Sequence, residues 1–254
     1  MRQLQYVVTG TGRSGTVYLA NLLTKCGLPC GHECIFTPWG VEEALARLHG
    51  RSAVQVSAMS VESCGDWFRD DGDVVADSSY MAAPFLDHAV LRDARIIHVV
   101  RHPMDVINSF VIGLNYFQQW IPPDAWHWFI YTHVPDLRLD YHPLERAALY
   151  YIRWNRLIEA NSAGKPYFFC QVEDITRQLF DYLGRRCDDQ ELLAARKVNG
   201  RMDGKPAYAF EDIPSAVIRR ELADLAERYG YPLPHGGRRL WRGWRARREP
   251  RLSS

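Results

Sequence analysis

Short apolar runs and helix-periodic stripes alternate along this chain. Residues 4–9, LQYVVT, predict a buried strand. After a glycine-punctuated stretch, Leu19, Leu22, Leu23 and Cys26 recur at i, i+3, i+4 and i+7, the apolar face of a helix that Gly27 stops. AVQVSAM (53–59) and DVVADSS (73–79) predict further strands, and Pro84 is placed to open a short helix through FLDHAVLRD. ARIIHVVR (94–101) is nearly continuously apolar, as expected of a strand covered on both faces. Pro103 then suits a first helical position, and Val106, Ile107, Phe110, Val111 and Leu114 form one stripe. A long helix is written over 143–164, a strand over 166–175, and amphipathic helices over 175–184, 188–198 and 214–229.

This alternation predicts an α/β fold: a P-loop-like three-layer domain whose central, mostly parallel sheet is flanked by helices. One domain over residues 1–235 accounts for the pattern, followed by a C-terminal tail over 236–254. The segment 115–142, rich in Trp, Tyr, Pro and His, reads as an excursion over the active face rather than as part of the sheet. Its Trp120, Trp126, Trp128, Phe129 and Tyr131 suit either an acceptor wall or an aromatic core, and His127 and His133 are open in the same way.

Composition narrows the class. With 254 residues, 47% apolar and 24% charged, the chain can build one full core. No apolar stretch is long enough for a membrane span and no apolar leader precedes the first strand, so a cytoplasmic protein with no transmembrane segment is expected. Six cysteines without a secretory signal predict thiols rather than disulfides. Cys26, Cys30 and Cys34 are spaced unlike a zinc or iron–sulfur motif, and no metal site is expected. The net charge of +1 hides an asymmetry: seven arginines and one acid lie between Arg238 and Arg251, leaving about −5 for residues 1–237. That tail suits either solvent or an anionic surface; no nucleic-acid partner is expected.

VTGTGRSGTVYLANLL (8–23) carries the first chemical signal. Backbone N–H groups of a glycine-rich turn and of a helix's first turn converge on a phosphate. A P-loop NTPase would place Lys and then Ser or Thr after the last glycine, where this chain has Thr16 and Val17. Its cation, Arg13, lies inside the loop instead, where a guanidinium sits against an oxygen bridging the bound phosphate to the group that leaves. A second signal is IIHVVRHPMDVINSF: Arg101 ends the strongest strand and Ser109 lies eight residues on, about two helical turns away. Both fall at the carboxyl edge of the sheet, where α/β proteins bind ligands.

The stretch GTGRSGT resembles the 5′-phosphosulfate loop of sulfotransferases that use 3′-phosphoadenylyl sulfate, in particular the Arg-type loop of the tyrosylprotein and bacterial carbohydrate enzymes. Arg101 and Ser109 match that family's 3′-phosphate element position for position. The resemblance implies that Gly12, Arg13, Ser14, Gly15, Thr16 and Val17 hold the 5′ side of the donor and that Arg101 and Ser109 hold its 3′-phosphate. YYIRWNRLIE and FFCQVEDI are similar to a further family helix and strand, where Glu173 and Asp174 are expected to cap or orient the next helix. The basic segment 195–205 lies where relatives cover the nucleotide, which brings in Asn199 and Arg201 and, undecided, Arg196, Lys197 and Lys205. It also implies a sulfuryl transfer to a small-molecule, glycan or peptide hydroxyl, with adenosine 3′,5′-bisphosphate as product.

Such a transfer needs a base beside the acceptor oxygen. Glu33 lies twenty residues beyond Arg13, close to the spacing of the catalytic Glu in Arg-type relatives, and is assigned that role beside the cation Arg13. His32 has the better intrinsic pKa, but in extended backbone it points away from its neighbour's face. The sequence departs from the resemblance at VADSSY, where relatives carry a Lys: Asp77 and Ser79 stand there, and Asp77 is either a second working carboxylate or a strand-end cap. Two other readings remain open. One is a P-loop kinase or NTPase-like enzyme and the other a non-catalytic binder of 3′-phosphoadenosine nucleotides.

Overall fold

A computed structural model of the chain describes residues 4–36, 75–114, 116–118, 125–175, 177–187 and 207–233. Five short strands, β1 (Tyr6–Thr9), β2 (Cys30–His32), β3 (Ala76–Ser78), β4 (Arg95–Val100) and β5 (Tyr167–Gln171), form one sheet in the order β2-β3-β1-β4-β5. Every pairing in it is parallel, which makes the fold α/β as the alternation predicts. The helices are α1 (Thr16–Lys25), α2 (Pro103–Asn108), α3 (Ala125–His133), α4 (Pro143–Asn161), α5 (Arg177–Leu183) and α6 (Ala216–Arg228).

Period-two alternation divides the sheet's apolar residues between two cores. Val8, Ile97 and Val99 pack with Leu19, Leu22 and Leu23 of α1 and Leu179 and Phe180 of α5. Val7, Ile96 and Val100 face the larger core with α2, α4 and α6. Because the connections from β1 lead to one side of the sheet and β4 lies on the other, a crevice opens at the strands' carboxyl ends.

Several local expectations change. The helix expected to open at Pro84 is a 3₁₀ turn, Tyr80–Phe85, with Pro84 inside it. It starts early because the Ser79 side chain accepts the Met81 N–H, while Trp154 and Asn161 of α4 donate to the carbonyls of Tyr80 and Ala83. The helix after Pro103 turns into a π-helical segment at Ser109–Gly113, closed by a Leu114 N–H to Ser109 carbonyl bond of 3.0 Å. The wider turn rotates the chain beyond it, so Leu114 leaves the buried stripe and is 47% exposed. The strand at 53–59, the helix at 188–198 and the tail over 236–254 lie outside the described residues.

Cys26 and Cys187 form a disulfide, which corrects the all-thiol expectation. They are 161 positions apart, and only the packing of α5 beside α1 brings them together, so no spacing in the sequence announces the pair. Cys30, Cys34 and Cys170 are buried thiols outside the disulfide, and Cys64 lies outside the described residues. Among the described residues no helix is long and apolar enough to cross a membrane, and no side-chain cluster could hold a metal ion.

Candidate functional site

All five strands deliver residues to one cavity of about 540 Å³ just beyond their carboxyl ends. The turn after β1 contributes Gly12, Arg13, Gly15, Thr16 and Val17, and β2 contributes His32 with Glu33 directly after it. Tyr80 follows β3, Arg101 follows β4, and Val172 and Glu173 follow β5.

The loop is a tightly packed cradle. A side chain on Gly15, whose φ is +107°, would meet Val172 Cγ2 at 2.5 Å, and one on Gly10 would meet the Val99 carbonyl at 2.2 Å. Arg13 also takes a left-handed conformation, φ 68°. Not every amide of 12–17 is available to a ligand, contrary to the expectation. The Gly12 N–H donates to the buried Tyr150 hydroxyl at 2.8 Å, and the Ser14 N–H donates to the Thr11 carbonyl at 3.1 Å. Ser14 is fully buried beneath the loop and does not line the cavity. Among the other amides, those of Thr16 and Val17 lie in the first turn of α1 and have no intrahelical acceptor.

Arg13 and Arg101 open onto this one cavity. Arg13 Nε donates to Ser109 Oγ at 2.9 Å, and Arg101 Nη1 donates to the Arg13 carbonyl at 3.3 Å. Partial burial, and then the nearby charge of Arg101, lower the pKa of Arg13. Arg101 has Asp105 at 3.7 Å. Its backbone is fixed by the Tyr151 hydroxyl, which donates to the Arg101 carbonyl at 2.9 Å. Glu173 accepts the next N–H, that of His102, at 3.1 Å, and also the Tyr231 hydroxyl. Glu173 therefore braces the Arg101 turn. Asn199 and Arg201, with Arg196, Lys197 and Lys205, lie outside the described residues.

Glu33 and His32 share the cavity although they are adjacent. In extended backbone they would diverge, but Glu33 has φ 57°, and that left-handed turn brings both side chains round, with 3.9 Å between His32 Nε2 and Glu33 Oε1. Burial, reinforced by the charge of Asp77, raises Glu33 to about 7. Burial lowers His32 to about 4, so its ring is neutral at pH 7 and lies 3.2 Å from the Thr16 hydroxyl. Asp77 is fully buried and does not line the cavity; it accepts the N–H groups of Cys34 and Ile35 at 3.3 and 3.2 Å.

The aromatic excursion divides. Phe129 is core, packed against Phe85 and Trp154, and Tyr131 accepts from Arg146 at the edge of the larger core. His133 packs on Phe129 and Trp154. Trp120, and the side chains of Trp126, His127 and Trp128, lie outside the described residues. The apolar and aromatic lining of the cavity comes from Tyr80, Phe110 and Leu114 and, within the excursion itself, from Tyr116 and Ile130. Sequence reasoning passed over Tyr80 and Tyr150; the available signal for Tyr80 is its place just past a strand end, while Tyr150 shows only as one more apolar position of a helix.

No family model matches the chain, and no curated protein matches it. Among solved structures, it is similar to a sulfotransferase domain from the curacin biosynthetic pathway, with a TM-score of 0.59 at 16% identity over 91% of this chain and 99% of that one. It is also similar to a sulfotransferase domain from the Synechococcus PCC 7002 olefin synthase, with a TM-score of 0.56 at 20% identity over 91% of this chain and 96% of that one. At such identities the likeness is one of fold, and it extends over nearly the whole of both domains.

Proposed function

We propose that this chain, which has the fold of the sulfotransferase domains, is a sulfotransferase that moves the sulfuryl group of 3′-phosphoadenylyl sulfate to a hydroxyl acceptor. The observation that carries the reading is the meeting of Arg13, Arg101 and Glu33 at one cavity. Two guanidinium groups at one cavity, one of them with its pKa lowered by burial and then by the charge of the other, favour a polyanionic ligand, and a donor phosphorylated on both sides of its ribose fits that demand.

In this reading Gly15, Thr16 and Val17 orient the 5′ side of the donor through the first turn of α1, with Arg13 beside the bridging oxygen that gains charge as its bond to sulfur breaks. Arg101 and Ser109 hold the 3′-phosphate. Glu33, held near neutrality by its surroundings, takes the proton of the acceptor hydroxyl as the oxygen attacks sulfur in line. The proton thus ends on Glu33, the sulfuryl group on the acceptor, and adenosine 3′,5′-bisphosphate is released. Neutral His32 beside Thr16 serves orientation rather than proton removal.

The test is transfer of labelled sulfate from 3′-phosphoadenylyl sulfate to a panel of phenols, sugars and peptides, run beside assays for loss of the terminal phosphate of ATP with Mg²⁺. Sulfuryl transfer that disappears in Glu33→Gln is expected. ATP turnover without sulfuryl transfer would move the chain to the kinase or NTPase class. Bisphosphate binding without either reaction would make it a nucleotide binder.

A further inference from the structure

Asp77 occupies an unusual place for a charge. It sits in the middle residue of β3, with Val7 of β1 and Gly31 of β2 as its cross-strand neighbours, and has no exposed surface. Its strand neighbours face the other side: the Ser78 hydroxyl donates to the Thr16 carbonyl under α1, and Ala76 packs in the α1 core. Burying a carboxylate between two strands is costly unless hydrogen bonds repay it. Here the partners are the N–H groups of Cys34 and Ile35, the two residues directly after Glu33. The Glu33 N–H in turn donates to the Ser78 carbonyl at 3.1 Å, so the turn is pinned to β3 on both sides of the left-handed residue.

We propose that Asp77 is the positioning residue for Glu33: by gripping the Cys34 and Ile35 amides it closes the turn that aims the Glu33 carboxyl into the cavity. The inference rests on the assignment of Glu33 as base. A neutral side chain could cap two amides; the charge adds a field that acts on Glu33. Other groups face this pair. The thiols of Cys30 and Cys34 lie on the Asp77 side, and His32, Tyr80 and Tyr150 surround Glu33. Burial holds Tyr80, Tyr150 and Cys30 in their neutral forms at pH 7, and His32 is neutral as well. That leaves Asp77, which burial raises to about 6 and so still below Glu33, as the described acid that acts on Glu33 as a charge.

The test is a carboxyl-carbon NMR titration of the full chain, with the Glu33 signal assigned by its loss in Glu33→Gln, repeated in Asp77→Asn. Binding of adenosine 3′,5′-bisphosphate and the pH dependence of kcat/KM are measured beside it. In the wild type the Glu33 signal is expected to titrate near neutrality and to register a second step as Asp77 titrates. In Asp77→Asn its midpoint falls by about one pH unit, a shift typical of removing a nearby buried like charge, the acid limb of kcat/KM moves down with it, and bisphosphate binding is retained. An unmoved midpoint in a folded Asp77→Asn overturns the proposal. Should that variant not fold, a single-step wild-type titration in the ordinary carboxylate range overturns it equally. A coupled titration in a chain that transfers no sulfuryl group would sink the sulfotransferase reading and leave the pairing of the two carboxylates intact.

Discussion

The two halves of the cavity are built by different means. On the phosphate side, Gly12 to Val17 are contiguous, and Arg101 and Ser109 belong to one strand–turn–helix unit. On the base side, Glu33 comes from the end of β2, the carboxylate that holds its turn from β3, and the phenol beside it from Tyr80 in the turn after β3. A site made of backbone amides and helix ends is written locally, because its geometry follows from glycines and a helix start. A site made of side chains meeting across a sheet is written only in the fold.

This contrast predicts separable losses. The largest effect is expected on the base side: Glu33→Gln loses about 10²–10⁴-fold in turnover, the usual worth of a positioned base, while bisphosphate affinity measured by calorimetry stays near the wild type. The same group sets the pH response. With Glu33 raised from 4.5 to about 7, transfer rises with pH through neutrality as the carboxylate forms. The sign for stability is opposite. A raised acid is harder to ionise in the folded chain than in the unfolded one, so the contribution of Glu33 is complete below about 4.5 and declines as pH rises to about 7, which a series of melting curves checks.

Next in size, Cys187→Ser should lower stability by about 2–5 kcal/mol in denaturant unfolding, since the bond closes a loop of 161 positions. Because the disulfide lies at the far end of α1 from the phosphate loop, the ratio of bisphosphate to AMP affinity should not follow that loss. On the phosphate side, Arg101→Ala should cost about 10- to 100-fold in bisphosphate affinity, the range of a charge-assisted hydrogen bond to phosphate, and little in AMP affinity. The smallest effect is expected for Tyr150→Phe. It strands the Gly12 N–H beneath the loop, costing about 1–3 kcal/mol shared between melting temperature and donor affinity. A lost bisphosphate preference in Glu33→Gln would erase the division between the halves.

The same contrast explains what the sequence made legible. The run 94–101, the glycine loop and the Pro103 helix start each carry a period or a breaker that acts within a few residues, and each reappears as β4, the cradle and α2. The convergence of Arg13 and Arg101 follows from placing both at strand ends of a parallel sheet. Three features escaped for one reason: their cause lies far off in the chain. Cys26 meets Cys187 only through helix packing, Tyr150 reaches Gly12 across 138 positions, and the Glu33 turn depends on a carboxylate that belongs to another strand. The π-helical step after Asn108 escaped differently. Its apolar spacing matches an ordinary helix up to Val111, and only the exposed Leu114 betrays the added residue in the turn.

The central claim is that Arg13 and Arg101 form one site for a nucleotide phosphorylated on both sides of its ribose. It is tested most directly by calorimetric titration of the full chain with adenosine 3′,5′-bisphosphate, AMP and ATP in parallel, in the wild type and in Arg101→Ala. The account predicts that the bisphosphate binds at least about tenfold more tightly than AMP or ATP, and that Arg101→Ala removes this advantage. Equal affinities for bisphosphate and AMP, or a preference for ATP that survives Arg101→Ala, would contradict it.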